Sequence, residues 1–232
     1  MENNSAESQL VWEFFRRRPD SIFVDLGVNH PTESNQTWFL EQQGWTGLLV
    51  EPNPDLAKSL REQRPKSKTV QVAVGRPEQV GEVELQMGLA SGHSALNPAY
   101  DTVLTGQSVR LPLRTLDSIL TENCVTQVDF LSLDALEGLN LEKWKPQLIL
   151  IEDFFYHRRK LTYLRNHGYR LVRRTGYHNW YVPQDSPHTL FSASSLGEIF
   201  NPARKRWISG PIIAARRSWR QKREYKKKQK QP

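Results

Sequence analysis

Four short apolar runs in this chain each end in a carboxylate: SIFVD at Asp25, GLLVE at Glu51, VDFLSLD at Asp134 and LILIE at Glu152. Runs of this length read as strands buried on both faces, and parallel strands of that kind bring their carboxyl ends to one crevice. A carboxylate after a strand is commonplace, so no single one of them carries the case. Together they would line the crevice with negative charge. A phosphate-rich dinucleotide is a poor match for such a ring, and neither GxGxxG nor GxxxxGK[ST] occurs to cradle phosphates. A cationic cofactor bearing an amino group and a ribose fits better, and S-adenosylmethionine is such a molecule. In this reading Glu51 accepts hydrogen bonds from both ribose hydroxyls, Asp25 sits near the ammonium, and Gly27 lets the backbone approach closely.

Methyl transfer from a sulfonium is an in-line displacement at carbon, so placing an acceptor oxygen behind the methyl supplies much of the rate. A hydroxyl acceptor also benefits from a base to take its proton. Asp134 is the first candidate, with His30, His93 and Glu152 behind it. His30 stands beside the glycine turn, where a lone histidine is more often structural. His93, followed by Ser94 in the stretch SGHSALNPAY, is read as an acceptor-side contact. The six histidines are scattered, without HExxH or CxxC, so no dedicated metal site is expected, while an oxygen-ligated Mg²⁺ at Asp134 stays open.

The elements that must hold these residues follow from the apolar pattern. Residues 5–18 read as an opening helix with Leu10, Val11, Phe14 and Phe15 on one side and Arg16–Arg18 near its end, closed by Pro19. Ile22–Gly27 is the first strand, Thr37–Gln43 a helix with Trp38 and Phe39 toward the core, and Gly47–Glu51 the second strand. Pro54–Arg64 is the next helix and Thr69–Val74 a third strand. This alternation predicts a parallel sheet. Glu82–Gln86 and Ser108–Leu113 look like further strands, Thr115–Thr121 a capped helix, and Val128–Asp134 and Leu148–Glu152 buried strands. Arg158–His167 is helical, stopped by Gly168, and Tyr169–Arg173 with Asn179–Val182 reads as a closing hairpin.

Composition sets the frame. The chain has 232 residues, 38% hydrophobic and 25% charged, enough for one ordinary globular core with an appendage. The net charge of +7 is unevenly spread: residues 204–232 hold twelve arginines and lysines against Glu224 alone, leaving the body mildly acidic. Within that tail Ile212, Ala215 and Trp219 fall on one helical face, so it can lie on an anionic membrane; a solvated tail is the expectation for 221–232. Any polycation binds nucleic acid in a salt-dependent way, but no specific nucleic-acid signature is present. No run is long enough to span a bilayer and the polar start MENNSAESQ lacks a signal-peptide pattern, so a cytoplasmic protein is expected. The single Cys124 excludes an internal disulfide and is expected to be a small buried hydrophobe.

The run FVDLGVNHPTESNQTWFLEQQGWTGLLVEPNPDLAKSLREQRP, followed by LRTLDSIL, VDFLSLD, WKPQLILIED and LRNHGYRLV, resembles the FkbM family of S-adenosylmethionine-dependent O-methyltransferases. The resemblance covers residues 20–183 and is most specific from Asp25 through Pro54: the Asp-x-Gly-x-Asn turn, the SNxTxxxE-type helix, Gly-Trp and Glu-Pro-Asn-Pro. It implies an α/β, Rossmann-like class I methyltransferase fold, with a mostly parallel seven-stranded sheet, helices on both faces and a C-terminal antiparallel hairpin strand. It also implies that Asp25, Gly27, Asn29, Ser34, Glu51 and Asn53 bind the cofactor. Asn29-His30-Pro31 stands where Asn-x-Gly is more usual. After Asp134 the family's Asp-x-Glu-Gly is altered to SLDALEGLNLEKWKPQ. Either one residue is inserted and Glu137-Gly138 takes the pair's place on the substrate side, or several residues are lost; the loss is favoured.

The domain reading is therefore an N-terminal helix over 1–20, a methyltransferase domain over 21–183, a linker over 184–203 and a basic tail over 204–232. The expected activity is methylation of a sugar hydroxyl on a glycan or glycolipid acceptor, a step of polysaccharide biosynthesis at the cytoplasmic face. The alternatives are a cofactor-binding or scaffold protein of the same fold, and a methyltransferase acting on RNA or protein.

Overall fold

The computed structural model describes residues 3–33, 35–88, 104–133, 138–152, 158–176 and 178–187. Helix α1 (Asn3–Phe14) precedes strand β1 (Ile22–Leu26), and α2 (Gln36–Gln42) leads into β2 (Thr46–Val50). Helix α3 (Pro54–Gln63) is followed by the short strands β3 (Lys68–Val70) and β4 (Ala73–Val74). The strands β5 (Gly81–Gly88) and β6 (Leu104–Arg114) come next, then α4 (Leu116–Glu122), β7 (Phe130–Leu133), the single turn α5 (Leu141–Trp144) and β8 (Leu148–Glu152). Helix α6 (Arg158–Asn166) and strands β9 (Tyr169–Thr175) and β10 (His178–Pro183) complete the fold.

Seven strands form one sheet in the order β3-β2-β1-β7-β8-β10-β9. The β1–β2, β1–β7, β2–β3 and β7–β8 pairs are parallel, while β10 lies antiparallel between β8 and β9. Mixed α/β layering, a mostly parallel sheet and a late antiparallel hairpin strand make this the Rossmann-like methyltransferase fold. Because side chains alternate across a strand, each strand feeds two cores. Phe23, Leu49, Phe130, Leu150 and Trp180 pack on one face with Val11, Phe14 and Phe15 of α1, Leu40 of α2 and Leu60 of α3. Val24, Val50, Leu131 and Ile149 pack on the other with Ile119 and Leu120 of α4, Leu141 of α5 and Leu164 of α6. Each such side chain, fully buried, contributes about 1.5–3 kcal/mol.

Several local readings change. The opening helix stops at Phe14 rather than running through the arginines. Arg16 takes a left-handed backbone (φ 53), its N–H bonds Glu13 O and the Arg17 N–H bonds Trp12 O, which is a Schellman stop without glycine. The apolar stretch 69–74 divides: β3 closes the main sheet, whereas Ala73–Val74 pairs with β6, so β4, β6 and β5 form a separate three-stranded sheet over Leu85, Leu111 and Leu113. A run of apolar residues does not say which strand its second half will pair with. On α2 the buried residues are Thr37, Leu40 and Glu41, while Trp38 and Phe39 are only half-buried, because polar groups occupy the inward face. Cys124 is exposed rather than buried, at a left-handed position (φ 55) in the turn after α4.

At Gly138 (φ +77) a Cβ would come within 2.2 Å of the Gly75 carbonyl oxygen, and its own carbonyl accepts the Asp117 N–H, so glycine is required at this junction. No helix among the described residues is long and apolar enough to cross a membrane.

Candidate cofactor site

The carboxyl ends of β1 and β2 are bound together by backbone. After Leu26 the chain turns at Gly27 (φ 71), whose N–H donates to Val50 O at 3.0 Å, and again at Asn29 (φ 60). Glu51 follows β2 directly, and its own N–H continues the ladder to Val70 O at 3.1 Å. Its carboxylate reaches across to the first turn: Oε2 accepts the Asn29 N–H at 2.9 Å and Oε1 the Asn53 N–H at 2.9 Å. One side chain thus pins both turns. Asn53 caps α3, its side-chain oxygen accepting from Asp55 N and Leu56 N.

An ionised carboxylate offers about four lone-pair directions, and the backbone takes two, so Glu51 retains room for two further donors. The carboxylate is only 4% exposed. Burial pushes its pKa above the ordinary range, the two backbone N–H groups pull the other way, and the nearby Asp25 charge adds to the rise.

Asp25 shares its sheet face with Glu51: it is in register with Leu49, and Phe23 and Leu49, two residues before each acid, lie in the same core. It is also 4% exposed. Its surroundings are protein. The Thr37 hydroxyl donates to Oδ2 at 2.7 Å, and Ser132 of β7 is its register neighbour. Burial again raises the pKa, with the Thr37 hydroxyl, the charge of Arg64 and the polar groups of Ser132 and Asn35 opposing.

Arg64, fully buried at the end of α3, anchors this region. Its Nη1 donates to Thr37 Oγ1 at 3.0 Å and Asn35 Oδ1 at 3.1 Å, and its Nε to Glu41 Oε2 at 3.0 Å. Its Nη2 lies 3.0 Å from the same Glu41 oxygen without the alignment of a hydrogen bond. The guanidinium sits over the rings of Phe23 and Trp38, 5.5 and 5.8 Å from their centroids. Burial lowers its pKa against the pull of Glu41 and Asp25. Asn35 completes the frame: it caps α2 and its Nδ2 donates to Val28 O at 3.2 Å, which fixes the entry of the turn into the helix.

The structure therefore brings Asp25, Gly27, Asn29, Glu51 and Asn53 together in two adjoining turns. His30 is in the same loop, half-exposed, with Nδ1 accepting from Glu33 N at 3.0 Å and Thr32 N at 3.4 Å. That tautomer keeps the proton on Nε2, so the ring can donate there but cannot accept. Glu152 ends β8, two strands from β1, opposite His178 of β10, and its carbonyl accepts from Lys160 Nζ at 3.1 Å. Ser34, His93, Ser94, Asp134 and Glu137 lie outside the described residues, as does the tail 204–232. Among the described residues no group of three or more His, Cys, Asp or Glu is placed to hold a metal ion.

Sequence reasoning missed Thr37, Glu41, Arg64 and the capping role of Asn35. Asn35 had a signal, an asparagine immediately before a helical stretch. Arg64 had none: an arginine at a helix end before a proline reads as a solvated cation, and its carboxylate partner is 23 residues away.

The residues fit a ribose-bearing cation. Glu51 keeps acceptor capacity beside a glycine turn, and the Asp25 carboxylate stands on the same face of the sheet, so a cationic ligand would favour the ionised form of both acids. Among known proteins, the family model for the methyltransferase FkbM domain matches residues 25–171, starting at Asp25 itself. No curated protein matches the chain significantly.

Proposed function

The chain belongs to the FkbM methyltransferase family, and from that premise we propose that it is an S-adenosylmethionine-dependent O-methyltransferase acting on a sugar hydroxyl of a glycan or glycolipid precursor. The observation that carries the cofactor part is Glu51: a buried carboxylate held by two backbone N–H groups, with acceptor capacity left for a pair of hydroxyls. When bound, S-adenosylmethionine supplies a methyl group on a cationic sulfur. Glu51 takes the ribose hydroxyls, Gly27 gives the close backbone approach, and Asn29 and Asn53 present the backbone that fixes the Glu51 carboxylate. Asp25, inside the Thr37–Asn35–Ser132 shell, supports the turn and contributes negative potential toward the ammonium. Ser34 adds a further contact to the cofactor.

On the acceptor side, Asp134, the residue after β7 in the sequence, and Glu152, which ends the neighbouring parallel strand β8, are carboxylates suited to accept a hydroxyl proton. His30, in its present tautomer, serves as a hydrogen-bond donor to the acceptor or the cofactor. His93, Ser94 and Glu137 complete the acceptor contacts. The basic segment 204–232 carries the charge to keep the enzyme at an anionic membrane surface, where lipid-linked sugars are assembled, on the cytoplasmic side.

Isothermal titration with S-adenosylhomocysteine tests the cofactor site: the wild type binds in the micromolar range and Glu51→Ala loses that binding. Transfer of labelled methyl to lipid-linked sugars tests the acceptor class, and transfer to RNA or protein alone would replace it. Flotation with anionic vesicles, with and without residues 204–232, tests the tail.

A further inference from the structure

A second polar chain runs along the same face of the sheet, starting from Glu7, His178 and Gln36, which have no cofactor role above. Glu7 of α1 is 5% exposed. Its Oε1 accepts from the Thr175 hydroxyl, and its Oε2 lies 2.8 Å from His178 Nδ1 and 3.2 Å from Gln36 Nε2. Gln36 Nε2 is 2.7 Å from His178 Nε2, and Gln36 Oε1 accepts from Ser132 Oγ at 3.0 Å. Ser132 is in register with Asp25 on the same face of the sheet. The chain Glu7–His178–Gln36–Ser132 therefore joins α1, β10, α2 and β7, and it ends beside Asp25 of β1. Gln36 is the first residue of α2, next to Asn35, which closes the cofactor turn.

The donor count fixes the protonation pattern. A carboxylate only accepts, so His178 carries its proton on Nδ1 and offers the Nε2 lone pair to the Gln36 amide. The two amide hydrogens of Gln36 are then both used, one on His178 and one on Glu7, and its oxygen is used by Ser132. Protonating the ring puts a hydrogen on Nε2 facing the amide N–H₂ at 2.7 Å. Two donors then oppose one another. Relief requires the Gln36 amide to turn, which withdraws its oxygen from Ser132 and disturbs the first turn of α2.

We propose that His178, oriented by Glu7, is a positioning residue for the cofactor turn: the neutral ring holds Gln36 and the start of α2 in the binding arrangement, and the protonated ring releases them. This rests on the cofactor reading of the site given above. Glu7 and His178 both lie outside the span matched by the family model, whereas Gln36 and Ser132 lie inside it. Among the described residues, the titratable groups around the ring include Glu7 from α1 and Glu152, its register partner on β8, with Asp25 of β1 beyond Ser132.

The full-length chain is titrated with S-adenosylhomocysteine at about pH 8 and about pH 6, and the wild type is expected to bind about five- to tenfold more weakly at the lower pH, the scale of one hydrogen bond. His178→Asn keeps a donor for Glu7 but has no titrating nitrogen. It is expected to bind at the weaker level at both pH values. Glu7→Gln can donate to Nδ1 and so favours the other tautomer, and it is expected to lower affinity at about pH 8 toward the same level. If His178→Asn keeps the wild-type pH difference, Asp25 and Glu51 account for all of it and the proposal is overturned. Nitrogen-15 NMR of the unliganded wild type reads the same point without ligand. The expected result is a neutral His178 protonated on Nδ1 and a Gln36 side-chain amide signal that moves as the ring titrates. An Nε2–H tautomer, or a Gln36 signal that stays still, overturns the proposal. Absence of homocysteine-nucleoside binding at every pH removes the cofactor reading, and the NMR result still decides the role of His178.

Discussion

The two ends of the central sheet treat buried carboxylates differently. At the amino ends of the strands, Asp129 is 1% exposed and surrounded by donors: Arg18 Nη2 at 2.8 Å, Ile22 N at 2.9 Å, and the side-chain amides of Gln127 and Gln147, each at 2.6 Å. It ties the turn after α1 to the starts of β1 and β7, with three donors on Oδ1 and one on Oδ2. At the carboxyl ends, Glu51 is equally buried but, among the described residues, accepts from two backbone N–H groups, and Asp25 accepts from the Thr37 hydroxyl with Arg64 acting from behind Thr37. An acid with every acceptor site filled by protein stabilises a fold. One left with spare capacity and no cation at contact costs stability until a ligand arrives, and such sites are where function is found.

The comparison breaks most directly at Glu51. Glu51→Ala removes the acceptor for two hydroxyls, each bond to a charged group being worth about 1.5–3 kcal/mol, so affinity for S-adenosylhomocysteine falls by more than about 100-fold. Calorimetric titration reads this, with circular dichroism to show that the fold persists. A loss under about tenfold means that the nucleoside does not rest on Glu51.

Asp129→Ala is the opposite case. It strands the Ile22 N–H and frees Arg18, at a cost of about 2–3 kcal/mol in urea unfolding, while the affinity of the remaining folded protein for S-adenosylhomocysteine stays within about twofold. If affinity drops in step with stability, the two ends of the sheet are not independent and the contrast is wrong.

This contrast also marks what the sequence made legible. The apolar runs gave β1, β2, β7 and β8 nearly to the residue, since a strand buried on both faces has no other reading at that length. The turn residues Gly27 and Asn29 and the acid Glu51 stood in a spaced motif, so that part of the site was legible too. What escaped was tertiary pairing. Ala73–Val74 leaves the main sheet for β6, and nothing in the stretch TVQVAV announces the change of partner. Asp129 precedes an apolar run as Asp25 ends one, and only the sheet shows that they lie at opposite ends. Arg64, Glu7 and His178 act through partners far away in the chain, and a buried charged side chain is indistinguishable in sequence from a solvated one.

The smallest expected effect tests whether Asp25 belongs with Glu51 or with Asp129. Its pKa is raised in the folded state, chiefly by burial. A carboxyl raised above its unfolded value of 3.8 contributes stability that is fully present below that value and is lost as pH climbs through the folded one. Ionised Asp25 therefore weakens the unliganded protein at neutral pH. Asp25→Asn removes the charge and keeps the shape, and its oxygen still accepts from Thr37. The variant is expected to melt higher than wild type by about 2–4 °C at about pH 8, the scale of one kcal/mol in a chain of this size, and to match it at about pH 4. Thermal melts of the unliganded proteins across that range decide the matter. A variant that melts lower than wild type at about pH 8 would place Asp25 with Asp129, as an acid whose partners are sufficient and whose charge the fold requires.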